Sequence, residues 1–224
     1  MSKNVGVIGL GAMGSGMAGS LRRAGFDTAV FDIRTEVAQA FAKDGGTACA
    51  SLAELGARSD VIVSVVVNAA QTESVLFGAD GCAASMKRGS VFVMCSTVDP
   101  NWSIALEARL AALGILYVDA PISGGAAKAA SGQMTMMTAA TPQAYAKAGD
   151  MLDAMAAKVY RLGDKAGAGS KVKIINQLLA GVHIAAAAEA MALGLREGVD
   201  ADALYEVITH SAGNSWMFEN RMAH

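Results

Sequence analysis

Short apolar runs alternate with segments of helical spacing through the first three quarters of the chain. Residues 4–9 (NVGVIG) form an apolar run that ends in a glycine-rich turn, and residues 12–24 carry a helical pattern that stops at Gly25. Residues 27–32 (DTAVFD) predict a second strand, and 35–44 a helix closed by Gly45-Gly46. Ser51-Leu52-Ala53-Glu54 has the form of a capping box opening a short helix. The β-branched run 60–67 (DVIVSVVV) and the run 90–95 (SVFVMC) predict strands buried on both faces. Pro100 opens a helix to about Leu113, 115–118 (ILYV) predicts a strand, and 119–132 reads as a Gly/Ser-rich loop. Residues 134–138 and 158–162 predict strands flanking a helix opened by Thr141-Pro142. Beyond Gly167-Ala168-Gly169 the pattern is helical only, at about 169–196, 200–211 and from 215 onward.

Strands that alternate with helices of ten or more residues imply βαβ units and a parallel sheet covered on both faces. The predicted class is therefore α/β: a Rossmann-type, doubly wound, mainly parallel sheet over residues 1–164, followed by the start of an all-helical domain over 165–224. The long helix at about 169–196 would join the two.

Composition narrows the function. Hydrophobic residues make up 53% of the 224 and charged residues 17%, which excludes a disordered chain. A net charge of -2 leaves no basic field for a nucleic-acid backbone. Cys49, Cys82 and Cys95 are odd in number and widely spaced, with no CxxC pair. They fit neither a disulfide framework nor a zinc site, and no metal is expected; they read as buried thiols of a reducing cytoplasm. The N-terminal apolar run is interrupted by Gly9, Gly11, Gly14 and Gly16, which argues against a secretory signal. Residues 174–195 are nearly long and apolar enough to span a bilayer. They carry Asn176, Gln177, His183 and Glu189, so they read as the buried centre of a larger helical assembly, with no membrane partner.

Three constellations carry chemistry. Gly9-x-Gly11-x-x-Gly14 lies between a predicted strand and a predicted helix, and Asp32 closes the next strand. Gly9 suits the tight turn, Gly11 lets a pyrophosphate approach the backbone, and Gly14 lets the helix pack on the strand. The helix N-terminus then offers free N–H groups to phosphate. Asp32 would accept from a ribose 2′-hydroxyl and repel a 2′-phosphate, which favours NAD over NADP, although Arg34 could reach such a phosphate. In the second, Asp119-Ala120-Pro121-Ile122-Ser123-Gly124-Gly125 follows a strand end; Ser123 and successive amides could hold a carboxylate, while a plain turn accounts for the same residues. In the third, Lys171 and Lys173 lie about 200° apart around a helix, so they cannot share a task. Lys173 shares its face with Asn176 and Gln177, and Lys171 shares its own with Ile174 and Ile175. An isolated lysine is ordinarily a solvated surface group, but the polar cluster singles out Lys173.

The stretches VIGLGAMG, DAPISGGAAKAASGQM and GAGSKVKIINQ, in this order, resemble the β-hydroxyacid dehydrogenases, the group that includes 3-hydroxyisobutyrate dehydrogenase. The stretch from Lys171 to Arg221 is most similar to the L-threonate dehydrogenase branch. The resemblance implies cofactor contacts at Gly9, Leu10, Gly11, Ala12, Met13, Gly14, Asp32, Ile33, Arg34, Val66, Val67, Asn68 and Ser96-Thr97. It implies a substrate-carboxylate loop at Ser123, Gly124 and Gly125, polar substrate contacts at Asn176 and Gln177, and Lys173 as catalytic general acid/base. The commoner Asn-Asn pair of the family is Asn176-Gln177 here. The implied reaction is NAD-dependent oxidation of a small hydroxy acid to the oxo acid. Family members continue into further helices that build a subunit interface, so the helical domain is expected to be truncated at His224 and the full-length protein to be a homo-oligomer. Two alternatives stand beside this: an NADPH-linked semialdehyde reductase of the same fold, and a nucleotide-binding module without catalysis.

Overall fold

The computed structural model describes residues 4–223. The chain parts into two compact units, Met1–Lys173 and Ile174–His224, and the division falls within one long helix.

The first unit begins β1 (Asn4–Ile8), α1 (Gly14–Arg23), β2 (Asp27–Phe31), α2 (Thr35–Lys43), β3 (Thr47–Ala48), α3 (Leu52–Arg58), β4 (Val61–Ser64), α4 (Ala69–Phe77), β5 (Val91–Met94), α5 (Pro100–Ala112) and β6 (Leu116–Asp119). It continues through β7 (Ile122–Ser123), α6 (Gly125–Ala130), β8 (Met134–Ala140), α7 (Pro142–Met155) and β9 (Ala156–Arg161) into α8 (Ala168–Arg196). The strand order is β3-β2-β1-β4-β5-β6-β8-β7, with β9 paired to β8. Strands β1 to β6 are parallel, and β8 turns the sheet antiparallel against β6. This is the doubly wound Rossmann-type arrangement expected, and its order reverses between β1 and β4. Such a reversal opens a crevice beyond the carboxyl ends of the strands.

Alternation along the strands explains why these runs are continuously apolar. Val5, Val7, Val61, Val63, Val91 and Val93 face one core with Met17 and Leu21 of α1 and Met151 and Leu152 of α7. Ile8, Ile62, Phe92 and Met94 face the other, with Leu55 of α3, Leu76 of α4 and Leu106 and Leu110 of α5. Successive residues of a strand point to opposite faces, so a sheet buried on both sides needs apolar side chains at every position.

Several expectations need correction. The run 60–67 gives a strand only over Val61–Ser64; beyond it the chain leaves the sheet and Asn68 starts α4, an element absent from the sequence reading. The two-residue β3 was also missed. The segment 119–132 is not a plain loop: β7 pairs Ile122 with Met136 and Ser123 with Thr135, and α6 follows at once. Strands β3 and β7 and helix α6 are too short to display a period, and tertiary contacts hold them.

The second unit contains the remainder of α8 together with α9 (Ala201–Thr209) and α10 (Trp216–Arg221). Tyr205 stacks on Phe218 with ring centroids 5.8 Å apart, and its hydroxyl donates to the Glu219 carbonyl at 2.9 Å. The burial expected of this helix is that within a larger helical assembly, and the described residues by themselves leave most of it uncovered. By length and composition α8 could cross a membrane, and its most apolar window is 6% buried. Among the described residues, Ile175 is 60% and Leu178 65% exposed.

Candidate active site

The three fingerprint glycines meet three different steric demands. Gly9 has φ +88°, and its N–H donates to the Phe31 carbonyl at 2.9 Å. A Cβ on Gly14 would stand 1.8 Å from the Gly9 carbonyl oxygen, so the first turn of α1 lies directly on the end of β1. A Cβ on Gly11 would meet nothing within 4 Å; the space there is open toward solvent. Met13 precedes α1 without a side-chain cap, although the Ser15 N–H in the first turn donates to the Gly11 carbonyl at 3.3 Å.

Asp32 is 7% exposed and anchors this turn. Its Oδ2 accepts from the Leu10 N–H at 2.6 Å, and its Oδ1 from the Arg34 N–H at 2.9 Å and Nε at 3.3 Å. Burial opposes the carboxylate charge, but the Arg34 and Leu10 amides and the Arg34 guanidinium outweigh it and hold the carboxyl below its ordinary value. A crevice of about 300 Å³ brings Gly9, Gly11, Asp32, Ile33, Arg34, Val66 and Val67 together. Ile33 is 89% and Val67 76% exposed at its rim, an apolar pair that nothing among the described residues covers. Leu10 is buried, Ala12 exposed and Met13 half-buried in the loop itself.

The crevice also includes Gln71, Ser74 and Val75, which the sequence reading did not name. Asn68 caps α4 by accepting from the Gln71 N–H at 2.9 Å, and Gln71 Oε1 accepts from the Val67 N–H at 2.8 Å. An Asn followed three positions later by Gln is a helix-start signal that could have revealed this turn. After β5, Ser96 is buried and its hydroxyl donates to the Val66 carbonyl at 2.6 Å, while Thr97 is exposed.

The second loop is built on β7. Gly124 and Gly125 have φ +142° and +79°, and a Cβ on Gly125 would meet nothing within 4 Å. Ser123 is half-buried. The helix that follows is tied to α1: the Ser20 hydroxyl donates to the Ala129 carbonyl at 3.1 Å, and Arg23 donates to the Ala130 carbonyl.

On α8 the two lysines part company. Lys171 is exposed, while Lys173 is 7% exposed, and burial pushes its ammonium below the ordinary lysine value. Asn176 and Gln177 follow on the same helix, and Asn176 Nδ2 donates to Gln177 Oε1 at 3.4 Å. The three cysteines are buried thiols, and burial pushes Cys82 and Cys95 up to about 12.

Residues 4–163 match the family described as the NAD binding domain of 6-phosphogluconate dehydrogenase. Residues 167–224 match the NAD-binding family of NADP-dependent 3-hydroxyisobutyrate dehydrogenase. The L-threonate dehydrogenase of Cupriavidus necator is 67% identical over 224 residues, which is 100% of this chain and 75% of that protein. The mitochondrial 3-hydroxyisobutyrate dehydrogenase of Mus musculus is 34% identical over 212 residues, 95% of this chain and 63% of that one. A crystal structure of a 3-hydroxyisobutyrate dehydrogenase from Salmonella typhimurium superposes with a TM-score of 0.95 at 50% identity, covering 100% of this chain and 78% of that one. With its glycine turn, acid-anchored crevice and buried lysine in this fold, the chain belongs to the β-hydroxyacid dehydrogenase family, within which L-threonate dehydrogenases are among its relatives.

Proposed function

We propose that the protein oxidises a small hydroxy acid, L-threonate first among candidates, to the oxo acid with NAD, and that it does so in the cytoplasm. The dinucleotide domain would comprise residues 1–164, and the helical domain would begin at 165. The crevice fits a dinucleotide: Gly11 leaves the backbone open, no side chain caps the start of α1, and Asp32 presents a carboxylate. When bound, the nicotinamide supplies the acceptor for the hydride of the substrate carbinol. Gly9, Leu10, Gly11, Ala12, Met13 and Gly14 would hold the pyrophosphate, Asp32 the ribose, and the exposed Ile33 and Val67 would cover the flat face of the adenine. Val66, Asn68 and Thr97 complete the contact surface.

Ser123 and the Gly124 and Gly125 amides hold the substrate carboxylate, and Asn176 and Gln177 contact its polar groups. Lys173 Nζ takes the hydroxyl proton in oxidation and returns it in reduction. An ordinary lysine is almost wholly protonated at neutral pH and cannot accept a proton. A buried one with a lowered pKa keeps a fraction of free amine. The burial of Lys173, against the exposure of Lys171, is the observation that carries this reading. Absorbance from NADH, with L-threonate and then with 3-hydroxyisobutyrate, tests it. Dinucleotide binding without turnover of either would select a binding module instead.

One observation favours a second reading of the cofactor. The Arg34 side chain is half exposed at the crevice, where it could pair with a 2′-phosphate. Turnover with NADP above that with NAD would select it.

A further inference from the structure

The helix that carries Lys173 is held at its start from outside. Asp119, the last residue of β6, is fully buried. Its Oδ2 accepts from the N–H groups of Gly167 at 2.9 Å and Ser170 at 3.0 Å, and its Oδ1 accepts from the Ser170 hydroxyl at 2.6 Å. First-turn N–H groups have no acceptor within their own helix, and a negative charge there also opposes the positive end of the helix dipole. Helices α3, α4, α5, α7, α9 and α10 each take their acceptor from their own N-cap residue. For α8 the acceptor comes from a strand 51 positions away. The fit is close: a Cβ on Gly169 would stand 2.4 Å from the Met137 carbonyl oxygen and 3.0 Å from that of Asp119. The first turn of α8 is thus pressed onto the end of β6 and the middle of β8, and the carboxylate fixes its rotation.

Lys173 lies three residues after Ser170, on the same side of the helix. We propose that Asp119 is the positioning residue for Lys173: by fixing the start of α8, it sets where the buried amine meets the substrate hydroxyl. This rests on the reading of Lys173 as the proton acceptor. Asp119 does not itself touch the reacting atoms in this scheme, and burial alone accounts for the Lys173 shift.

Asp119→Asn keeps the volume of the side chain but turns an NH₂ toward N–H and hydroxyl donors. We expect kcat to fall by up to about 100-fold, the cost of misplacing a reacting group by about 1 Å. The KM for NAD should stay unchanged, because the crevice residues lie on other strands. The decisive measurement is a double-mutant cycle on kcat. If Asp119 acts through Lys173, then Asp119→Asn in a Lys173→Ala background causes no further loss beyond about twofold, the scatter of independent sites. Losses that multiply would show a merely structural role and overturn the proposal. Should Asp119→Asn not fold by thermal melt, Ser170→Ala removes only the hydroxyl bond and runs through the same cycle, with a smaller loss expected. A Lys173→Ala enzyme that keeps its rate would overturn the reading of Lys173 itself. If Lys173→Ala loses its rate while Asp119→Asn keeps kcat, only the positioning role falls.

Discussion

Lys171 and Lys173 carry the same charge on the same helix, but one is solvated and the other is almost closed off. If Lys173 is the proton acceptor, Lys173→Ala should lower turnover by at least about 10²-fold. Lys171→Ala should change it little, and dinucleotide affinity should hold in both variants. Equal losses in steady-state assays of the two would overturn the assignment. Because burial lowers the Lys173 pKa, the oxidation rate should rise with pH along a limb below the ordinary lysine value, and that limb should vanish in Lys173→Ala. The linked effect on stability has a defined sign. Between the folded and unfolded pKa values the unfolded chain binds more protons, so Lys173 costs stability at lower pH and the cost is relieved as pH rises through that window. Asp32 anchors the Leu10 N–H in addition to the ribose contact proposed for it. Asp32→Ala should therefore relax the preference for NAD over NADP and weaken both, measured by titration of NADH and NADPH fluorescence. An unchanged preference would remove Asp32 from cofactor choice.

Among the elements, those with a sustained period were legible: the β-branched strands, the capping box at Ser51 and the helices opened by Pro100 and Pro142. The Ser51 hydroxyl does accept from the Glu54 N–H at 3.1 Å, and the Glu54 carboxylate accepts from the Ala50 N–H at 2.7 Å. Gly16 was not legible in this way. In sequence it is a helix-weakening residue in the first turn of α1. In the fold a Cβ there would stand 2.5 Å from the Ala130 N and 2.6 Å from the Ala129 carbonyl carbon. Helices α1 and α6 come backbone to backbone at this point. Gly16→Ala should destabilise the protein by about 1–3 kcal/mol, the range for overpacking a filled site. Urea denaturation measures this. A stability equal to that of the parent would mean that α6 moves away freely.

For the whole molecule, α8 sets the open question of assembly. Its exposed Ile175, Leu178, Leu179 and Val182 form an apolar face that no other element among the described residues covers. We expect a second copy to cover this face, giving a dimer or larger species by light scattering, with no binding of an apolar-surface dye. A dye-silent monomer, or partition into vesicles, would overturn this. The amino-acid sequence by itself determined the order of most strands and helices, the parallel sheet, the glycine turn and the acid at position 32. Each of these follows from local constraints: a side-chain period, a permitted φ, or a fixed short spacing. Tertiary structure decided the rest. The direction of β8, the short β7 and α6, the contact at Gly16, the burial of Lys173 and the capping of its helix by Asp119 all depend on groups remote along the chain. Burial and long-range hydrogen bonds leave no period in the residues that make them, so only the packed fold brings them into view.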